Sequence, residues 1–122
     1  MKLTIDRQTW LRGEGPCNSA LIRDTDQKQC CLGFLGLALG IPRKKLLQRT
    51  MPQEVENGEL DKWTDKIVRL GQHEEGIYCY GHTDTANLLA KINDQKNLSD
   101  SDREKELTRL FNEIGIEVEF IN

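Results

Sequence analysis

The residues best suited to chemistry are four cysteines, two histidines and a short aromatic stretch. Cys30 and Cys31 are adjacent, and neighbouring residues do not share a face of a helix or a strand. They therefore lack the C-x-x-C spacing of redox proteins and zinc knuckles. Two readings follow. Either both thiols act as small hydrophobes against the apolar segment after them, or a helix starting at Cys31 lowers that thiol's pKa and makes it reactive. Cys79 and His82 form a C-x-x-H pair, with His73 upstream. Adding Cys30 or Cys31 gives four zinc ligands on paper. A strong zinc signature has two tight ligand pairs and this one has a single pair, so no metal is expected and Cys79, His82 and His73 are weak candidates. A cysteine nucleophile with His82 as base finds no local signature around any thiol.

Between Gly76 and Thr85, Tyr78, Tyr80 and His82 alternate, so on a strand they would project from one face. Two phenol rings and an imidazole on one surface can stack a planar ring. Thr83, Asp84 and Thr85 then open a helix, whose free N–H groups suit an anion. With Arg43, Lys44 and Lys45 as cationic partners, Tyr78, Tyr80, His82 and Thr83 make a candidate site for a nucleotide-like ligand. The competing reading is a core strand whose tyrosines reach hydrogen-bond partners. Glu74-Glu75 and the Glu117/Glu119 pair read as solvated faces, and no phosphate-loop, dinucleotide, nucleophile-elbow or zincin motif occurs.

The elements that must position these residues follow from periodicity. Leu3 and Ile5 alternate with polar residues as a short strand. Asp6 reads as the N-cap of a short helix carrying Trp10 and Leu11, closed by Gly13 and Gly15. Ala20-Leu21-Ile22 reads as a strand, Asp24–Gln27 as a turn and Gln29-Cys30 as the returning arm. Cys31 to Leu39 is apolar apart from Gly33 and Gly36, which predicts a central helix buried on all sides, its glycines admitting another backbone. Gly40 stops it, and Pro42 starts a helix at N1 that turns the basic cluster outward and Leu46 and Leu47 inward.

Thr50 to Gly58 reads as a loop, followed by a helix on Leu60, Trp63, Ile67 and Leu70. Thr83 or Asp84 caps a helix carrying Ala86, Leu89 and Ile92. Ser99 and Asp102 form a capping box ahead of Leu107, Leu110, Phe111 and Ile114. Gly115 ends that run, and Ile116, Val118 and Phe120 alternate with Glu117 and Glu119 as a strand. Its partner is either the Leu3–Ile5 segment or the hairpin near Ala20–Ile22. The expected fold is a single α+β domain over residues 1–122, a small sheet packed against several helices.

The chain has 122 residues, of which 37% are hydrophobic and 30% charged. That composition excludes collagen-like and low-complexity classes. Net charge is -3, but residues 1–50 hold nine Lys/Arg against four Asp/Glu, so the first part is basic and the remainder acidic. The one dense basic run, Arg43, Lys44, Lys45 and Arg49, falls short of the stripe that phosphate backbones need, which argues against nucleic acid as a partner. The longest apolar run, Cys30 to Ile41, is 12 residues, shorter than the roughly 20 that span a bilayer. No signal-peptide pattern opens the sequence, so a cytoplasmic location with reduced cysteines is expected.

The block Cys30-Cys31-Leu32-Gly33-Phe34-Leu35-Gly36-Leu37-Ala38 resembles a C-C-L-G-F-L-x-L-A block in small proteins of phages and bacteria. Ile92-Asn93-Asp94, Arg103-Glu104 and Leu110-Phe111…Gly115-Ile116-Glu117-Val118-Glu119-Phe120 resemble the end of the same proteins. The resemblance covers both ends of the chain and implies a mobile-element setting, with no assigned activity or cofactor. Small proteins of that setting act by binding a host protein or sequestering a signal molecule. The expectation is therefore a non-enzymatic binding module acting on a host protein or signalling pathway. The alternatives are sequestration of a nucleotide-like ligand and a thiol- or zinc-dependent enzyme.

Overall fold

The computed structural model describes residues 1–52 and 85–122. Described elements run β1 (Lys2–Asp6), a 3-10 turn (Pro16–Asn18), α1 (Cys31–Ala38), α2 (Arg43–Leu46), α3 (Thr85–Asp94), α4 (Asp100–Glu113) and β2 (Glu117–Ile121). This is the expected α+β fold. β1 and β2 pair in parallel, with Lys2 opposite Glu117 and Ile5 opposite Phe120.

Alternation decides what the sheet buries. Leu3 and Ile5 are buried on one face beside the half-buried Val118 and Phe120. Lys2, Thr4, Glu117 and Glu119 are exposed on the other, where Lys2 Nζ lies 3.4 Å from Glu119. The apolar face continues into a core of Leu21, Ile22, Leu32, Leu35, Leu89, Leu107 and Phe111. Trp10 tilts against the Phe120 ring at 5.1 Å between centroids.

Capping chemistry sets the helix ends. Ser99 Oγ accepts from the Asp102 amide at 3.1 Å, satisfying one of the free N–H groups that open α4. Gly40 and Gly115 follow α1 and α4 with φ of 89° and 81°. Gly33 is required by packing: a Cβ there would overlap the Leu21 carbonyl oxygen and lie 2.7 Å from its carbon. The close backbone approach expected of this glycine is thus made by the Ala20–Ile22 segment.

Three local expectations are corrected. Residues after Asp6 form a turn, not a helix: Asp6 Oδ1 accepts from the Gln8 amide at 2.9 Å, and Trp10 bridges Gln29. An Asp side chain serves such a turn as readily as a helix N-cap. α1 is not buried on all sides, since Ala38 is exposed and Phe34 and Leu37 are half-buried. Pro42 is the N-cap of α2, one position before the expected N1. The hairpin is present in outline, with Ile22 bridging Gln29 and the Arg23 amide donating to the Lys28 carbonyl at 2.8 Å. The helix on Leu60, Trp63, Ile67 and Leu70 lies outside the described residues.

Candidate functional site

Tyr78, Tyr80, His82 and Thr83, and the weak metal candidates Cys79 and His73, lie outside the described residues. Of the sequence-derived site, Arg43, Lys44 and Lys45 are described. They sit on α2, where Arg43 Nε donates to Gln27 Oε1 at 3.1 Å. Arg43 and Lys44 are exposed and Lys45 is half-buried.

Cys30 caps α1 and Cys31 is its first residue, so the thiols do stand at a helix start. Both are buried, and burial pushes the Cys30 thiol up to about 12 and Cys31 well above its ordinary range. Desolvation of a thiolate outweighs the helix dipole here. A protonated, inaccessible thiol is a poor nucleophile and a poor metal ligand. Among the described residues no cluster of three His, Cys, Asp or Glu is placed to hold a metal.

Among the described residues a cleft of about 610 Å³ runs along α3. Helical spacing puts Asn87, Leu88, Ala90, Lys91 and Asp94 on one wall. Gly15, Pro16 and Ser19 from the 3-10 turn region, with Thr50 and Met51, complete it, and Gln95 and Lys96 close one end. Its character is mixed: Pro16, Met51, Leu88 and Ala90 supply apolar surface, Lys91 and Lys96 supply cations, and Asp94 supplies a half-buried carboxyl. Burial raises the Asp94 pKa, partly offset by hydrogen bonds from Asn93 and Ser19 and by the charge of Arg103. Arg43, Lys44 and Lys45 are not among the lining residues, so the cations at this cleft are not those the sequence singled out.

Behind the cleft wall lies a buried polar hub. Asn93 is fully buried. Its Oδ1 accepts from Trp10 Nε1 at 2.8 Å and from the Cys31 amide at 3.0 Å, and its Nδ2 donates to the Leu11 carbonyl at 2.9 Å and to Asp94 Oδ1 at 3.0 Å. One amide thus ties three chain segments and orients the cleft carboxylate. Arg103, 2% exposed, donates to the carbonyls of Ile92, Asn93, Gln95 and Leu98 at 2.8–3.1 Å. The guanidinium thus gathers carbonyls from the last turn of α3 and from the link to α4, and a cation there also suits the helix dipole. The Gly13 and Gly15 amides take the Asn93 and Asp94 carbonyls at 2.9 Å each, which locks the cleft's two walls together.

Sequence reasoning did not pick out Asn93 and Arg103 as organising residues. A signal was present: each is a polar residue on an apolar stripe, Asn93 with Ala86 and Leu89, Arg103 with Leu107 and Leu110. Comparison of the chain with protein-family models, curated protein sequences and solved structures finds no match in any of the three.

Proposed function

We propose that this chain is a non-enzymatic binding module of a phage-derived locus, and that it sequesters a small nucleotide-like ligand of a host signalling pathway in the cleft along α3. The observation that carries this is the pairing of apolar wall and fixed charge in one cleft: Met51, Leu88 and Ala90 beside Lys91, Lys96 and Asp94. A planar base gains affinity from apolar burial, a phosphate from the lysines, and a ribose hydroxyl or exocyclic amine from a carboxylate acceptor. The volume is of the order that holds a small organic ligand. Asp94 is pre-oriented by Asn93 and Ser19, which reduces the ordering cost of binding. A binding role also suits the burial of the Cys30 and Cys31 thiols.

Calorimetric titration with mono-, di- and cyclic nucleotides tests the reading. Binding by at least one of them is expected, weakening with salt because its charge pairs are solvent-exposed. Lys91→Ala and Asp94→Asn should each weaken it roughly tenfold or more without changing the fold. Absence of heat from every nucleotide, with capture of a host protein by the same preparation, overturns it in favour of a protein partner.

A further inference from the structure

A two-stranded sheet leaves two unpaired strand edges, and such edges are templates for pairing with another chain. In the β1–β2 ladder the Glu117 amide donates to the Met1 carbonyl and the Arg7 amide to the Ile121 carbonyl, both at 2.9 Å. Those bonds fix the direction of every peptide group along the strands. The backbone groups of Leu3 and Ile5 face β2, and those of Lys2, Thr4 and Asp6 face away from it. Among the described residues no third strand joins the sheet, and the exposed Thr4 lies on that second edge of β1. The Asp6 carbonyl already accepts from the Thr9 amide at 3.1 Å and from Thr9 Oγ1 at 3.4 Å, which leaves the Thr4 groups, the Asp6 amide and the Lys2 carbonyl to make bonds across this edge.

We propose that β1 pairs antiparallel with β1 of a second copy of this chain, about a two-fold axis at Thr4, to form a four-stranded sheet in the order β2, β1, partner β1, partner β2. The strand is self-complementary in that register. Thr4 meets the partner's Thr4, and each exchanges an N–H···O=C bond with the other. Lys2 meets the partner's Asp6, and Asp6 meets the partner's Lys2, so opposite charges face each other twice. These three pairs are the ones whose backbone groups point outward, so ladder and side chains agree on one register. Leu3 falls opposite the partner's Ile5, which continues the buried apolar face across the join.

Lys2 lies 3.4 Å from Glu119 and is exposed, so in the dimer it stands between two carboxylates, Glu119 and the partner's Asp6. The other edge does not offer the same fit. Two-fold pairing of β2 between Val118 and Phe120 sets Glu119 against the partner's Glu119, and β2 carries no cation to offset them. Like charges directly opposite destabilise a strand pair, and opposite charges stabilise it.

Sedimentation equilibrium and native mass spectrometry of the full chain, from low to high micromolar concentration, test the proposal. The expected result is a species of twice the 14.0 kDa chain mass. Thr4→Pro removes an outward N–H that the β1–β2 ladder does not use, so it should weaken the dimer roughly tenfold or more while far-UV spectra stay unchanged. Val118→Pro, which removes an outward N–H from the other edge, should leave the dimer intact. Lys2→Asp and Asp6→Lys should each dissociate alone, because each sets like charges face to face. Mixed in equal amounts they should form a heterodimer, an outcome that loss of folding in either variant cannot imitate. A monomer at every concentration, a Thr4→Pro dimer as tight as wild type, or no association in the mixture overturns the proposal. Nucleotide binding by a monomer would leave the cleft reading standing and remove this one alone.

Discussion

Helix α3 has two working faces, and they satisfy their polar groups differently. The inner face buries Ala86, Leu89 and Asn93, and the Asn93 amide finds a partner for both its oxygen and its nitrogen. The outer face lines the cleft, where Asp94 is held by Asn93 and Ser19 and is one of the lining residues. A closed polar network specifies one packing, whereas a partly open one can exchange solvent for a ligand. The contrast separates residues that hold the fold from residues that can bind, although Asn93 and Asp94 are neighbours in sequence.

The sharpest way to break this division is at the hub. Asn93→Leu keeps the branching and number of side-chain heavy atoms and leaves the Trp10 indole N–H, the Cys31 amide and the Leu11 carbonyl without their partner. At about 1–3 kcal/mol for each of these buried groups, a loss of at least about 3 kcal/mol is expected in urea melts. A loss below about 1 kcal/mol would show that the hub is ornamental. Phe111→Ala, which empties the core beneath both β2 and α4, should cost a similar 3–5 kcal/mol as a large-to-small change.

Alkaline titration probes the inner side more gently. Cys30 keeps its proton up to about 12 when folded, against an ordinary 9.0. A raised folded value means that the neutral thiol's contribution is complete below pH 9 and is lost as pH climbs towards 12. The Tm of wild type should therefore fall more steeply above pH 9 than that of Cys30→Ala, and Cys30 and Cys31 should label with a thiol reagent only after denaturation. Rapid labelling of both in the native protein would restore a reactive thiol. The smallest effect belongs to the outer face: Leu88→Ser, at a position 36% exposed, should change stability by no more than about 0.5 kcal/mol while weakening any cleft ligand.

Local rules made much of this fold legible. The Ser99 cap, the Leu107–Ile114 stripe, the Gly115 stop and the alternation of β2 each depend on residues within a few positions of one another. What periodicity could not choose was the partner of β2 or the parallel direction, because pairing is settled by packing between distant segments. The Asp6–Leu11 segment failed for a related reason. Its local chemistry fits a turn and a helix equally, and the long-range bond from the Trp10 indole to Asn93 belongs to the turn. The cleft was least legible, since its walls come from three separated segments and its cations, Lys91 and Lys96, stand in no motif. The aromatic stretch around Tyr78 and Tyr80 lies outside the described residues and leaves that part of the sequence reading as it was.

The parallel pairing of β1 with β2 has a consequence for the order of folding. Lys2 meets Glu117, so the sheet joins the first described element to the last. On a growing chain β1 must wait, its apolar Leu3 and Ile5 uncovered on one side, until α1, α3, α4 and β2 have been made. Closing so long a loop costs entropy that two short strands cannot offset alone. The helices supply the rest: α1 packs on β1 and α3, α4 packs on α3 and β2, and the Arg7–Glu104 ion pair at 2.8 Å ties the segment after β1 to α4. The sheet is then a latch between distant segments, and removal of β2 would leave both edges of β1 without a strand.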